Sequence, residues 1–235
     1  MRILNQSVFH TKTFYLLVPA LVIKTQILYF QIMKLAHTIV ISLFYFTCMI
    51  PITVIAGRAP PPFFSCTDYH CDEGETVTLS EEQWRQVVAL FPPTEIPAEE
   101  REQIRRAIAL LETLVGNSTG TWRDLGKNVA GAGQPGQLDC ISESKNTTTY
   151  LHLLSEDGLI QWHDVEDRKL RHPWILDLHW SAVIRDRRTG KRYAVDSWFL
   201  DNGQQPFIQP LDEWLAGRRF ESGPPQQGAS DTGRH

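Results

Sequence analysis

The sequence predicts an α+β protein, with helices first and a small antiparallel sheet after them. Three observations carry that expectation. Ser80 opens a capping pattern, and an apolar stripe at helical spacing runs to Val115. Beyond Gly158 the pattern becomes strand-like, with alternating apolar and polar residues in its clearest segments. Within that region HWSAVIRDRRTGKRYAVDSWF, residues 179–199, reads as two strands joined by a tight turn.

The chain begins with a segment that does not belong to this core. From Leu35 to Gly57 there is no Asp, Glu, Lys or Arg, and Lys34 stands just before the run. Residues 1–57 therefore read as an export signal or a membrane anchor, with Met33-Lys34 as an alternative start. The end of the run, Val54-Ile55-Ala56, suits cleavage after Ala56, and retention as an anchor is the alternative. Lys24 and Lys34 precede the run, while Asp68, Asp72, Glu73 and Glu75 follow it, which places the rest outside the cytoplasm. A rival reading takes FYLLVPALVI (14–23) as a second span and returns the domain to the cytoplasm.

Residues 58–78 read as a linker, Pro-rich at APPPFF and carrying Cys66 and Cys71. In CTDYHC the first expectation is a disulfide between Cys66 and Cys71; a metal site with Asp68 and His70 is the alternative. A redox role for the two thiols is weaker, because their spacing is not CxxC. If they pair, and Cys48 lies in the apolar run, Cys140 is left as the odd thiol.

The helices follow in order. Ser80 with Gln83 caps WRQVVALF, and Pro92-Pro93 stops it. A second helix opens at Pro97, with carboxylates in its first turn and Ile104, Ile108, Leu111 and Val115 on its stripe, and Gly116 is expected to end it. GKNVAGAGQPGQ (126–137) is a loop, since no strand precedes its glycines and their spacing fits no phosphate loop. Residues 138–154 form a helix with Cys140 at or near its first turn, closed by Gly158. Strands are expected over 159–165, 174–186 and 191–199, then a short helix around LDEWLAG and a disordered tail over 220–235.

On the first hairpin strand Leu178, Trp180, Ala182 and Ile184 are apolar; on the second, Tyr193, Val195 and Phe199. If both sets face one core, His179 and Asp196 meet on the opposite face, directly opposed across a two-residue loop or diagonal across a four-residue loop. A carboxylate on one imidazole nitrogen leaves the other free to serve a nucleophile. Cys140, at a helix start where the dipole stabilises a thiolate, is the candidate.

Cys140 in GQLDC, His179 in LHWSAV and Asp196 in YAVDSW resemble, in order and spacing, the transglutaminase-like cysteine peptidase superfamily across residues 115–200. The resemblance implies a papain-like core over residues 79–219. In it Cys140 attacks an amide carbonyl, His179 shuttles the proton and Asp196 orients His179. It also implies an oxyanion-hole Gln, for which Gln134 and Gln137 are the candidates. The chain departs from the family pattern at Ile141, Trp180 and Ser197.

The expected function is an exported or membrane-tethered cysteine enzyme that cleaves or transfers amide bonds. The alternative is a non-catalytic binding or scaffold module of the same fold. Its partners would be a protein or peptide substrate and, through an uncleaved N-terminal segment, a membrane. The site calls for no cofactor and no metal. A net charge of −4, without a basic stripe interleaved with aromatics, argues against nucleic acid. Trp162, Trp174, Trp180 and Trp198 are candidates to line a substrate groove.

Overall fold

The computed structural model describes residues 29–31, 33–35, 58–172 and 178–218. The chain divides into one unit over Met1–Ile55 and another over Ala56–His235. In the first unit, residues 29–31 and 33–35 are helical. No helix among the described residues is long and apolar enough to cross a membrane. The expected export segment beyond Leu35, the apolar run 14–23, Trp174 and the tail over 220–235 lie outside the described residues.

In the second unit the segment 58–78, expected to be a linker, is a folded hairpin. Strand β1 (Phe63–Cys66) pairs antiparallel with β2 (Gly74–Val77), and a 3-10 turn at Tyr69–Cys71 joins them. The Pro-rich entry concealed it, because the strands are only four residues long and Phe64, Glu75 and Thr76 in the middle of them face solvent. Phe63 and Val77 are buried in the main core, and a disulfide joins Cys66 to Cys71 as expected.

Helix α1 (Glu81–Val88) carries the reciprocal cap expected from Ser80. Gln83 N–H donates to Ser80 Oγ at 3.2 Å, and Ser80 N–H donates to Gln83 Oε1 at 2.8 Å. Helix α2 (Pro97–Thr119) starts at the expected proline but runs past Gly116 to a cap at Gly120. Gly116 is inside the helix for packing. A β-carbon there would lie 2.9 Å from the Trp122 nitrogen, so only glycine admits the chain that turns back after Gly120. Helix α3 (Cys140–Glu156) matches the expected third helix, with Cys140 as its first residue.

Four strands then form one antiparallel meander, β3 (His163–Arg171), β4 (His179–Asp186), β5 (Arg192–Asp196) and β6 (Phe207–Pro210). The expected start of β3 at Leu159 is displaced to His163. The Gln161 and Trp162 N–H groups are taken by the buried Glu100 carboxylate, not by a neighbouring strand. Helix α4 (Leu211–Leu215) closes the fold. One face of the sheet, with Ala182, Ile184 and Val195, packs into the core shared with α2 and α3. The other, with Val183 and Ala194, is covered by Leu211 and Trp214 of α4. The result is mixed helix and antiparallel sheet, the expected α+β class.

Candidate active site

The N-terminus of α3 is fixed before any chemistry is considered. Asp139 caps it, its Oδ1 accepting the N–H groups of Ile141 at 3.1 Å and Ser142 at 2.9 Å. Its Oδ2 lies 3.0 Å from His70 Nδ1 in the disulfide loop. Ser142 Oγ donates to Asp68 O at 2.5 Å, and Asn146 grips Cys66 through its N–H (2.8 Å) and its carbonyl (3.1 Å). The hairpin and disulfide therefore clamp the helix end that presents Cys140. That thiol is free and half-buried.

His179 opens β4 and Asp196 ends β5. Asp186 N–H donates to Lys191 O, and Gly190 N–H to Asp186 O, both at 2.8 Å, so residues 187–190 form a four-residue loop. Gly190 takes a φ of 70°, which glycine adopts without strain. Pairing of Ala182 with Val195 then sets Asp196 opposite Ser181 and diagonal to His179. The two meet on the face away from the main core, with His179 Nε2 2.7 Å from Asp196 Oδ2. That face is not open to solvent: both residues are only 2 % exposed.

The imidazole has a second engagement. Burial works to lower the His179 pKa, but hydrogen bonds to Asp196 and to the Cys140 thiol, with the charges of both, outweigh it and push it up to about 9. Since Nε2 faces Asp196, Nδ1 is the ring nitrogen left for Cys140. Structure thus brings Cys140, His179 and Asp196 together in the order thiol, imidazole, carboxylate.

Two further groups hold this line. Trp214 Nε1 donates to Asp196 Oδ2 at 2.7 Å. Trp198 and Phe199 pack on the His179 ring at centroid distances of 5.0 Å, with Trp214 at 5.7 Å. Aromatic faces exclude water and favour the imidazolium. Of the tryptophans expected to line a groove, Trp198 is at the imidazole, while Trp162 is turned to Thr94 O, 2.8 Å away. Trp180 lies under Arg168, 4.8 Å from the guanidinium.

Arg168 reaches the site through a β-bulge. Pairing shifts by one residue between Glu166 and Lys169, so Asp167 and Arg168 together oppose Ala182. Its Nη1 donates to Ile141 O at 3.2 Å and Ser144 Oγ at 2.9 Å, and its charge interacts with Cys140. Nothing in the sequence marks a bulge among nine polar-rich residues, and Trp214 sits too far along the chain for spacing to link it with Asp196.

The two Gln candidates separate. Gln137 is buried and spent on the loop: Nε2 donates to Arg123 O at 2.5 Å, and Oε1 accepts from Asn128 Nδ2 at 2.6 Å. Gln134 is exposed, and its backbone closes turns with Gly131 and Gln137. Neither amide is held toward Cys140.

Beneath the loop is a group of buried acids that sequence reading missed. Asp124 Oδ1 accepts Leu138 N–H at 2.8 Å and Asn128 Nδ2 at 2.7 Å, and its carboxyl is hydrogen-bonded to that of Glu143. Burial is the main cause that raises the pKa of Glu112 to about 7 and of Asp124 to about 6, and pushes Glu143 well above the carboxylate range. No group of acids, His and Cys among the described residues is arranged to hold a metal ion.

Comparison with protein-family models, with curated proteins and with solved structures finds no match to this chain. The functional reading rests on the site itself.

Proposed function

We propose that this protein is a cysteine enzyme that cleaves or transfers amide bonds through an acyl-thioester at Cys140. One observation carries the reading: a single imidazole lies 2.7 Å from a carboxylate, and its pKa is pushed up by that carboxylate and by a free thiol at a helix N-terminus. The helix that bears the thiol and the adjacent strands that bear His179 and Asp196 fit a papain-like or transglutaminase-like core.

In this mechanism His179 takes the thiol proton, and the thiolate sulfur attacks the substrate carbonyl carbon. The carbonyl π electrons move to oxygen, giving a tetrahedral oxyanion. Asp139 occupies the Ile141 and Ser142 N–H groups, so the Cys140 N–H is the helix-end donor left for that oxyanion. Collapse expels the amine, which takes the proton held on His179 Nδ1, and the acyl group stays on sulfur. Water then releases an acid, or a second amine releases a new amide, with His179 as base. Asp196 keeps Nε2 protonated throughout, and Trp214 keeps Asp196 in place.

The disulfide supports an oxidising compartment. With the uncharged run 35–57 and its flanking charges, it favours an exported or membrane-tethered enzyme acting on a protein or peptide.

A peptide vinyl sulfone tests the reading. The full chain should be alkylated at Cys140 at neutral pH, and the His179→Ala variant should react at least about a hundredfold more slowly. Equal labelling of both proteins, or none of the folded wild type, leaves a non-catalytic module and sinks the proposal.

A further inference from the structure

A groove of about 460 Å³ lies along α3 beside the disulfide, outside the triad. It is lined by Lys145, Asn146, Thr148 and Thr149 of the helix, by Arg168, and by Phe64 with the Cys66–Cys71 bridge. Its lining holds two cations and no carboxylate. Phe64 is 54 % exposed although it stands next to buried core residues, so an apolar surface is left uncovered there.

The groove connects with the nucleophile through two observations. Cys140, Ser144 and Thr148 are spaced by four and share one ridge of α3. Arg168 bonds Ser144 Oγ in the middle of that ridge and Ile141 O above it. The bulge at Asp167–Arg168 is what aims this guanidinium at the helix, and its charge interacts with Cys140. Both its bonds leave from Nη1, so among the described residues Nε and Nη2 have no partner. Lys145 Nζ makes one bond, to His70 O at 3.3 Å, and an ammonium has three donors.

We propose that this groove binds the peptide substrate of Cys140 and selects peptides that carry a carboxylate. The inference rests on the cysteine-enzyme reading above and adds a substrate class to it. At about 1.5 Å per residue, Lys145 is about 7.5 Å along the helix from Cys140 and Thr149 about 13 Å. An extended peptide advances about 3.3 Å per residue, so the carboxylate lies about two to four residues from the scissile amide. Arg168 takes the carboxylate, Lys145 adds a second charge, and the Phe64 ring and disulfide cover the apolar side of the peptide.

The test separates binding from catalysis. Full-length Cys140→Ala is titrated with fluorescein-labelled alanine hexapeptides that carry a single Glu, or its isosteric Gln, at each position in turn. Glu at one or two positions should bind about fivefold or more tighter than Gln, and the difference should fade at high salt. Lys145→Glu and Thr149→Glu, which put an anion into the groove from the half-buried helix face, should each abolish or reverse the difference. Inorganic phosphate should compete only weakly; if it displaces the peptides at equal concentration, the site is a phosphate site and the carboxylate assignment is wrong. Equal binding of Glu and Gln peptides at every position overturns the proposal, as does a preference that survives both variants. Labelling of wild-type Cys140 by the vinyl sulfone is read in parallel. Labelling without acid preference removes the groove and leaves the enzyme; acid preference without labelling does the reverse.

Discussion

Trp214 and His179 reach the same oxygen: the indole N–H and the imidazole Nε2 both lie 2.7 Å from Asp196 Oδ2. A carboxylate oxygen shared by two N–H donors cannot swing toward one without losing the other, so the short helix α4 fixes the imidazole through Asp196. The Trp214 backbone carbonyl is in turn held by Arg171 Nη1 at 3.2 Å.

Trp214→Phe keeps an aromatic ring against His179 but removes this donor. We predict that kcat falls by about ten- to a hundredfold while KM changes little, because a misplaced imidazole affects the reaction and not substrate binding. Stability should fall by about 3 kcal/mol, since a bond to a charged group and a fully buried ring are both lost. Steady-state kinetics on the vinyl sulfone's parent peptide amide check this; KM and kcat changing together would assign Trp214 to substrate binding.

In the proposed mechanism His179 sets the alkaline limit. The leaving amine would need the proton on Nδ1, and His179 holds its proton up to about pH 9. Activity should therefore fall as pH rises through about 9. In Asp196→Asn, burial acts without the carboxylate and the limb should move down by more than one pH unit. The same proton is bound more tightly in the folded state than in the unfolded chain, where His titrates near 6.5. Its stabilising effect is complete below about pH 6.5 and lost as pH passes about 9. A pH–rate profile of both proteins decides; coincident limbs would mean that Asp196 does not act on His179.

The disulfide loop gives a third test. His70 and Cys71 have φ values of 60° and 59°, a region that side chains occupy at a cost of about 1–2 kcal/mol each. The Cys66–Cys71 bridge closes a loop of six residues, which should stabilise by about 2 kcal/mol. Relief of the strained residues offsets part of this when the bridge is opened. Cys66→Ala with Cys71→Ala should therefore lower the melting temperature by only a few degrees. The effect at α3 should be larger, because Asp139 loses His70 and Ser142 loses Asp68. Hydrogen exchange should rise at Ile141 and Ser142 more than at the far end of α3; uniform exchange along the helix would contradict the clamp.

Where local chemistry decides structure, the sequence was readable. Ser80 with Gln83 predicted its cap, the parity of Trp180, Ala182 and Val195 put His179 beside Asp196, and Gly190 marked the loop. The four-residue loop was one of two that the parity allowed. What failed depended on distant partners. β1 and β2 pair with each other, and Asn146, some 80 residues on, holds them to α3 by gripping Cys66. Gly116 reads as a helix end until the chain after Gly120 is seen to pack on it. Glu100 looked like a first-turn carboxylate of α2, yet it caps residues 161–163. In the candidate site, Cys140 was legible because it sits at a helix start that local pattern defines, and His179 and Asp196 because the parity of the hairpin puts them on one face. Trp214, Arg168 and the buried acids were not, because a short helix, a bulge and a loop bring them in.

Those acids give the last prediction. Glu112, Asp124 and Glu143 lie between α2, the loop and α3, with Glu112 accepting Gly203 N–H at 3.0 Å. Burial raises all three, Glu112 to about 7 and Asp124 to about 6. A raised carboxyl binds its proton more tightly in the folded state, so its contribution is complete below its unfolded value near 4 and lost as pH rises through 6 to 7. This window lies below that of His179, so melting temperature should fall in two steps, one between about pH 4 and 7 and one between about 6.5 and 9. Glu143→Gln keeps the shape and a donor for Asp124 while removing the acid whose ionised form is costly. It should raise stability at pH 8 by about 1–2 kcal/mol and flatten the first step, leaving the second intact. Thermal melts of both proteins at pH 5, 7 and 9 provide the check. A wild type that gains stability from pH 5 to 7, or a Glu143→Gln variant less stable than wild type at pH 8, would mean that these carboxyls are ionised in the folded protein.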